Sequence, residues 1–263
     1  MEKEFDFNAQ IICGGNSTHT VFRKVFESDA DTCACYIYTS GYIKLYINGF
    51  PAAMGSGYIC ADIGDYLLPG ENTAAFHLFN GTNGGGFAAL ALQNGTTVFK
   101  SDGSFLFADH TGYETVGVTD KAVYENIDCN APETWSELPF FDDSKWTAAE
   151  VLHEEKHGTA FTETVLPTPQ KAQNIQHTET RLELDFGSSE TGFLYVPVTG
   201  KRNSTVTVWC DSPNSGDAPF EKWTLSGGDD EFMWFTAKTV RYVTLEYGSD
   251  TDIDVDYIRL LVI

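Results

Sequence analysis

Apolar and polar residues alternate with a period of two through most of this chain, and a chain patterned this way can bury one face only as a β-strand. Cys35-Tyr36-Ile37-Tyr38 and Tyr42-Ile43-Lys44-Leu45-Tyr46-Ile47 are two such runs, separated at Ser40-Gly41. Asn48-Gly49 follows, a dipeptide that accepts the positive φ angles of a two-residue hairpin, so 42–47 is expected to fold back on the next segment. Pro69-Gly70 turns the chain into 73–79, and Asn94-Gly95 joins 87–92 to 96–100. A further run, 105–108, follows, and alternation resumes in 181–186, 193–198, 205–210, 232–235, 240–247 and 254–262. Strands this closely spaced, with turn signals between them, predict sandwiches or jelly rolls. The chain is therefore expected to be all-β, with two β-sandwich or jelly-roll domains in tandem, 1–155 and 165–263. One short helix is expected around Trp146 to Leu152, with Asp142-Asp143-Ser144 as its N-cap. His153 to Lys156, and then Pro167 and Pro169, read as a linker, with the join in 153–168.

Composition narrows the partners. The 263 residues carry 38 Asp and Glu against 16 Lys and Arg, a net charge of −22. Nucleic acid and anionic membrane surfaces both demand cations, so neither is expected as a partner. No apolar run approaches the ~20 residues that span a bilayer. Met1-Glu2-Lys3-Glu4-Phe5-Asp6 is acidic and lacks the features of a secretion signal, which leads to the expectation of a cytoplasmic chain, or of one cut from a longer precursor. Cysteines 13, 33, 35, 60, 129 and 210 contain no CxxC, so buried thiols are expected and not zinc. Without a secretion signal, the N-x-S/T triplets at Asn16, Asn80, Asn94 and Asn203 say little.

Catalytic signatures are missing. The chain has no G-x-S-x-G, no HExxH and no glycine-rich phosphate loop; Gly84-Gly85-Gly86 has neither the lysine nor the helix that such a loop requires. His153 and His157 would share a helix face, but they lie in a polar stretch that reads as solvated. A glycosidase needs two carboxyl groups facing each other across a cleft, and sequence alone does not reveal such a pair.

Several segments together carry a family resemblance. Gly41-Tyr42-Ile43-Lys44-Leu45-Tyr46-Ile47-Asn48-Gly49 resembles the GYYELYLNG element of the N-terminal domain of bacterial α-L-rhamnosidases. Leu67-Leu68-Pro69-Gly70-Glu71-Asn72 with Phe79-Asn80-Gly81 is similar to that domain's LLKPGEN and GNG elements. Phe141 to Ala148 is similar to its closing FDDSSWKPA. Leu184-Asp185-Phe186-Gly187 with Gly192 resembles the DFGQNIAGW start of the family's second β domain, and Thr205 to Val208, Lys222 to Gly227 and Val240 to Val243 resemble later pieces. The matches fall in order over most of 36–263. The resemblance implies a galactose-binding-like sandwich over 1–155 and a concanavalin-like sandwich over 165–263. Ser188-Ser189 replaces the family's QN, and Cys210-Asp211 stands where another acidic residue is expected. The family's catalytic (α/α)₆ barrel would begin after about residue 263, so no catalytic carboxylate carries over.

The expected function is a non-catalytic carbohydrate-binding or accessory region of a rhamnosidase-like glycoside hydrolase, taking a rhamnose- or galactose-like sugar. The alternative is a structural module that docks a second copy or a catalytic domain. Candidate ligand residues are Asn80 and Asn83 in the glycine-rich loop 80–86, Asp102 in a Ser-Asp-Gly turn, and Trp135 as an aromatic platform. Asparagine both donates and accepts, which suits a vicinal diol. The competing roles are turn geometry for the asparagines and packing for Trp135 and Trp146. No cofactor is expected, although acidic loops such as that of Asp102 would suit calcium.

Overall fold

The computed structural model describes residues 7–28, 32–80, 85–119, 122–155, 161–164, 166–211 and 220–263. It is all-β: the helical element among the described residues is a single 3₁₀ turn, Gly64–Tyr66. None of them forms a helix long and apolar enough to cross a membrane. The chain divides into two compact units, Met1–His110 with Trp135–Leu166, and Thr111–Thr134 with Pro167–Ile263. Where the sequence reading drew one join, the chain passes between the units three times. Segment 111–134 belongs to the second because Val123–Asp128 pairs in parallel with Phe220–Thr224, Ile127 opposite Trp223.

In the first unit, Ala34–Ile47 organises the sandwich. Residues 34–39 pair with Gly86–Gln93 and residues 42–47 with Gly70–Phe79, with a register shift between Thr39 and Ile43. The predicted separation at Ser40-Gly41 is thus where one continuous strand changes neighbours. Glycine is required there, because a Cβ on Gly41 would lie 2.2 Å from the Phe79 carbonyl oxygen. The interior of this unit is an aromatic core in which Phe76 stacks on Phe87 at 4.6 Å and Phe22 meets Phe87 edge-on at 5.1 Å. Phe161 packs edge-on against Phe7, Tyr36 and Tyr58 in a smaller cluster.

Both predicted hairpins form. Asn48 and Gly49 have φ of 53° and 88°, and Asn94 and Gly95 have 49° and 80°. Asn48 also ties the first turn to Pro69-Gly70. Its Nδ2 donates to Asn72 Oδ1 at 2.8 Å and to the Tyr66 carbonyl at 2.9 Å, and its Oδ1 accepts the Thr73 amide. Asn72, 1% exposed, accepts the Leu68 amide at 2.7 Å and donates to the Leu68 and Gly70 carbonyls at 2.8 Å. Asn72→Ala is accordingly expected to destabilise by ~2–3 kcal/mol, because several backbone groups lose their partner at once. A denaturant midpoint equal to that of the parent chain would refute this.

The expected helix at 146–152 is replaced by strands Thr147–Ala148 and Glu150–Glu155, which pair with Leu106–Asp109 and Ala9–Cys13. Ala149 alone is buried among its exposed neighbours, and the edges of the sheet supply hydrogen-bond partners that an isolated helix turn would lack. Asp142 and Asp143 do not cap a helix: Asp142 accepts the Ser144 amide in a turn, and Asp143 accepts from Arg23 Nε at 2.9 Å.

The second unit is built around Arg181–Gly200, a 20-residue strand. Asn174–Thr178, Lys238–Glu246, Asp229–Met233, Thr251–Ile253 and Arg259–Val262 all pair with it. It bends after Asp185-Phe186-Gly187. Phe186 enters the core, Gly187 takes φ of 85°, and Asp185 Oδ1 accepts the Gly187 amide at 2.8 Å. Trp223 stacks on Phe232 at 4.8 Å in a core that also holds Trp234.

Candidate functional site

The residues singled out in the sequence occupy separate local settings. Asn80 is buried, with its side chain lodged against two glycines; a Cβ on Gly85 would lie 2.0 Å from its Oδ1, and one on Gly41 2.5 Å. Asn83 lies outside the described residues. Asp102 Oδ1 accepts both the amide, at 2.8 Å, and the hydroxyl of Ser104, closing its own turn. Trp135 is 39% exposed at φ of 67°, and Trp146 packs against Phe141 at 5.4 Å. Among the described residues, no group of three or more His, Cys, Asp or Glu is placed to hold a metal ion.

A groove of about 590 Å³ lies instead on the outer face of the second unit, lined by Asn174, Gln176, Arg181, Glu183, Asp185, Asp211, Tyr242, Thr244 and neighbouring atoms. Strand register explains the grouping. Leu182 and Leu184 face Leu245 and Val243 in the core, so Arg181, Glu183 and Asp185 face outward opposite Glu246, Thr244 and Tyr242. Asn174 and Gln176 extend two of these rows across the next strand, opposite Asp185 and Glu183.

The groove depends on a fault in the alternation. Buried residues fall at Lys238 and Val240, then at Val243 and Leu245, so the parity changes across Arg241-Tyr242 and two consecutive residues lie outside the core. Irregularities of this kind re-aim side chains near sites. Asp211, at φ of 60°, holds this one: its Oδ1 accepts the amides of Arg241 at 2.8 Å and Tyr242 at 3.2 Å, and its own amide donates to the Tyr242 carbonyl. Arg241 forks onto Asp185, with Nε at 3.0 Å from Oδ1 and Nη2 at 3.3 Å from Oδ2. Arg181 is held in turn by Glu183 and Glu246, each at 2.7 Å. The Arg241 guanidinium, helped by the Gly187 amide, keeps Asp185 below the usual carboxylate range. It therefore stays an ionised acceptor and not a proton donor.

The Arg241 guanidinium carbon lies 4.7 Å from the centre of the Tyr242 ring, and Tyr242 is 43% exposed. The groove thus offers an aromatic ring beside carboxylates and amides whose positions are set by ion pairs and backbone. An aromatic body with polar acceptors around it suits a ligand that is apolar on one face and hydroxylated at its edge. Asn80, Asp102 and Trp135 do not line it. The sequence signal for it was present in Val240-Arg241-Tyr242-Val243, where two polar-type residues separate two apolar ones inside an alternating strand.

No protein-family model and no curated protein matches the chain. Solved structures do. The α-L-rhamnosidase of Dictyoglumus thermophilum is similar over 97% of this chain and 35% of its own, at 18% identity and TM-score 0.71. That of Aspergillus terreus is similar over 97% and 36%, at 19% identity and TM-score 0.71. The Streptomyces avermitilis enzyme, solved in complex with L-rhamnose, is similar over 97% and 28%, at 17% identity and TM-score 0.67. The chain spans roughly a third of the length of these enzymes. What these comparisons establish is fold: this chain has the tandem β-sandwich fold found within α-L-rhamnosidases.

Proposed function

We propose that this chain is a carbohydrate-binding, non-catalytic region of a rhamnosidase-like glycoside hydrolase, and that it takes a rhamnose- or galactose-like sugar in the groove around Tyr242. The observation that carries the reading is the match of 97% of the chain, through both units, to about a third of each rhamnosidase. The groove supplies the chemistry: a half-exposed ring to lie against sugar C–H groups, and Asp185, Glu183, Asn174 and Gln176 to meet hydroxyls.

A single sugar makes few contacts, so affinity for L-rhamnose or D-galactose is expected in the millimolar range, about −4 kcal/mol. An NMR titration tests this. Shifts centred on 174–185 and 241–244, weakened at least tenfold by Tyr242→Ala, support the groove. Shifts confined to the surroundings of Asn80, Asp102 and Trp135 would move the site to the first unit. No shifts with either sugar, together with self-association, would favour the structural-module reading.

The chain alone is expected not to hydrolyse an aryl rhamnoside. Turnover abolished by a point change in this chain would overturn the non-catalytic assignment.

A further inference from the structure

The sheet face that carries the groove continues past Tyr242. Thr244 stands opposite Trp209 on Thr205–Cys210, and Trp209 stands opposite Phe220 on Phe220–Thr224. Val206 and Val208 are buried in the core, so Trp209 belongs to the outer face; its ring lies 4.9 Å from that of Phe220, which is 49% exposed. Tyr242, Trp209 and Phe220 therefore form a diagonal aromatic stripe over three neighbouring strands, with the polar residues of the groove on the Tyr242 side.

Building on the sugar-binding reading above, we infer that the ligand is a neutral oligosaccharide laid across the strands. Length is the first argument. From Asn174–Thr178 to Phe220–Thr224 the face crosses five adjacent strands, and four gaps of about 4.8 Å make roughly 19 Å. That is several sugar rings long, and a monosaccharide at Tyr242 would leave Trp209 and Phe220 unused. Charge is the second argument. The face carries Glu183, Asp185, Asp211 and Glu246, and both guanidiniums are already engaged by carboxylates. Lys222, opposite Thr207, leaves the face net negative on a chain of net charge −22. Uronate-rich chains are repelled by such a surface, whereas neutral hydroxyls find acceptors on it.

The experiment uses the whole chain, with calorimetric titration of L-rhamnose, D-galactose and neutral tetrasaccharides of the galactan and arabinan types. It adds gel retardation in the corresponding polysaccharides and in polygalacturonate. The expected result is at least tenfold tighter binding of one neutral tetrasaccharide than of either monosaccharide, with retardation by its polysaccharide and none by polygalacturonate. Phe220→Ser should remove most of the tetrasaccharide gain and leave monosaccharide affinity unchanged; Phe220→Tyr should retain the gain; Tyr242→Ala should weaken both. Thermal melts of the variants report folding. Equal affinity for mono- and tetrasaccharides with a silent Phe220→Ser would overturn the extended stripe and leave the single-sugar groove standing. Preferential retardation by polygalacturonate would overturn neutrality. Failure of every sugar would remove both readings, and a dimer broken by Phe220→Ser would assign the stripe to a second copy.

Discussion

Replacing Lys238 with methionine is expected to cost the second unit ~3–5 kcal/mol of unfolding free energy, because a buried ion cluster loses its cation. Lys238 Nζ lies 3.0 Å from Glu221 Oε1 and 4.0 Å from Glu125 Oε2, with all three side chains 0% exposed. It also sits 4.3 Å from the centre of the Trp234 ring. Glu221 is further held by the Trp234 indole N–H at 2.6 Å and the Glu125 amide at 2.9 Å. Burial already pushes the Glu221 carboxyl up, and Lys238 is the main group opposing that shift. Methionine would leave two carboxyl groups in the core with an uncharged thioether where the ammonium was. Urea unfolding followed by tryptophan fluorescence reads the effect, since Trp209, Trp223 and Trp234 all belong to this unit. Adding Glu221→Gln to the methionine variant should destabilise by less than the sum of the two single changes. A loss under about 0.5 kcal/mol for Lys238→Met, the range of an ordinary surface change, would show that the cluster does not hold this core together.

The same cluster illustrates what was legible in the sequence. Alternation and turn dipeptides specify strands well, because side-chain direction and φ at Asn48-Gly49 and Asn94-Gly95 are local properties. The all-β class and the tandem sandwiches follow from them. The helix expected at 146–152 does not form because Ala9–Cys13 and Leu106–Asp109, distant in sequence and invisible to local propensity, pair with strands in 147–155. The segment 111–134 was assigned by continuity of chain, whereas its unit is decided by pairing with Phe220–Thr224 almost a hundred residues later. The groove was missed for a related reason. Asp185 and Arg241 lie on neighbouring strands and Asp211 in the bend just past a third, Thr205–Cys210, and only register brings them together. Glycine and asparagine mark the loop at 80–86, and there the Asn80 side chain fills the space beside Gly41 and Gly85. Parity was the usable signal: Glu125, Glu221 and Lys238 each occupy an inward position of an alternating strand, and Arg241-Tyr242 marks a change of phase.

Acidification from pH 7.5 to 5.0 is expected to destabilise the first unit through two buried histidines, His110 alone accounting for about 2 kcal/mol. His77 and His110 lie with rings 5.5 Å apart, at 6% and 5% exposure. His77 stands between Val21 and Lys44 on the flanking strands, with the Tyr46 ring 5.0 Å away. Its Nε2 is 3.3 Å from Ser136 Oγ and 4.0 Å from the Glu137 carboxylate. Burial is the largest cause of its lowered pKa, and His110, Lys44, Arg23 and His19 add like-charge repulsion. His110 is lowered to about 3, again by burial first and then by His19. Both rings therefore resist protonation in the folded chain, His110 staying neutral at pH 5, whereas in the unfolded chain each takes up a proton below ~6.5. Because the unfolded state binds more protons, stability is complete above that pH and falls as pH drops through the window toward the folded values. Glu221 in the second unit has the opposite sign, its raised carboxyl favouring the folded state as pH falls, so the probe must be local. Amide exchange in His19–Ser28 and Gly70–Phe79 is suitable, since these two strands pair along their whole length and the second carries His77. Protection there should decline between pH 7.5 and 5.0 once intrinsic exchange is corrected for, and His77→Gln or His110→Gln should each reduce the decline. Protection independent of pH in the parent chain would mean that the histidines take up protons without opening this sheet.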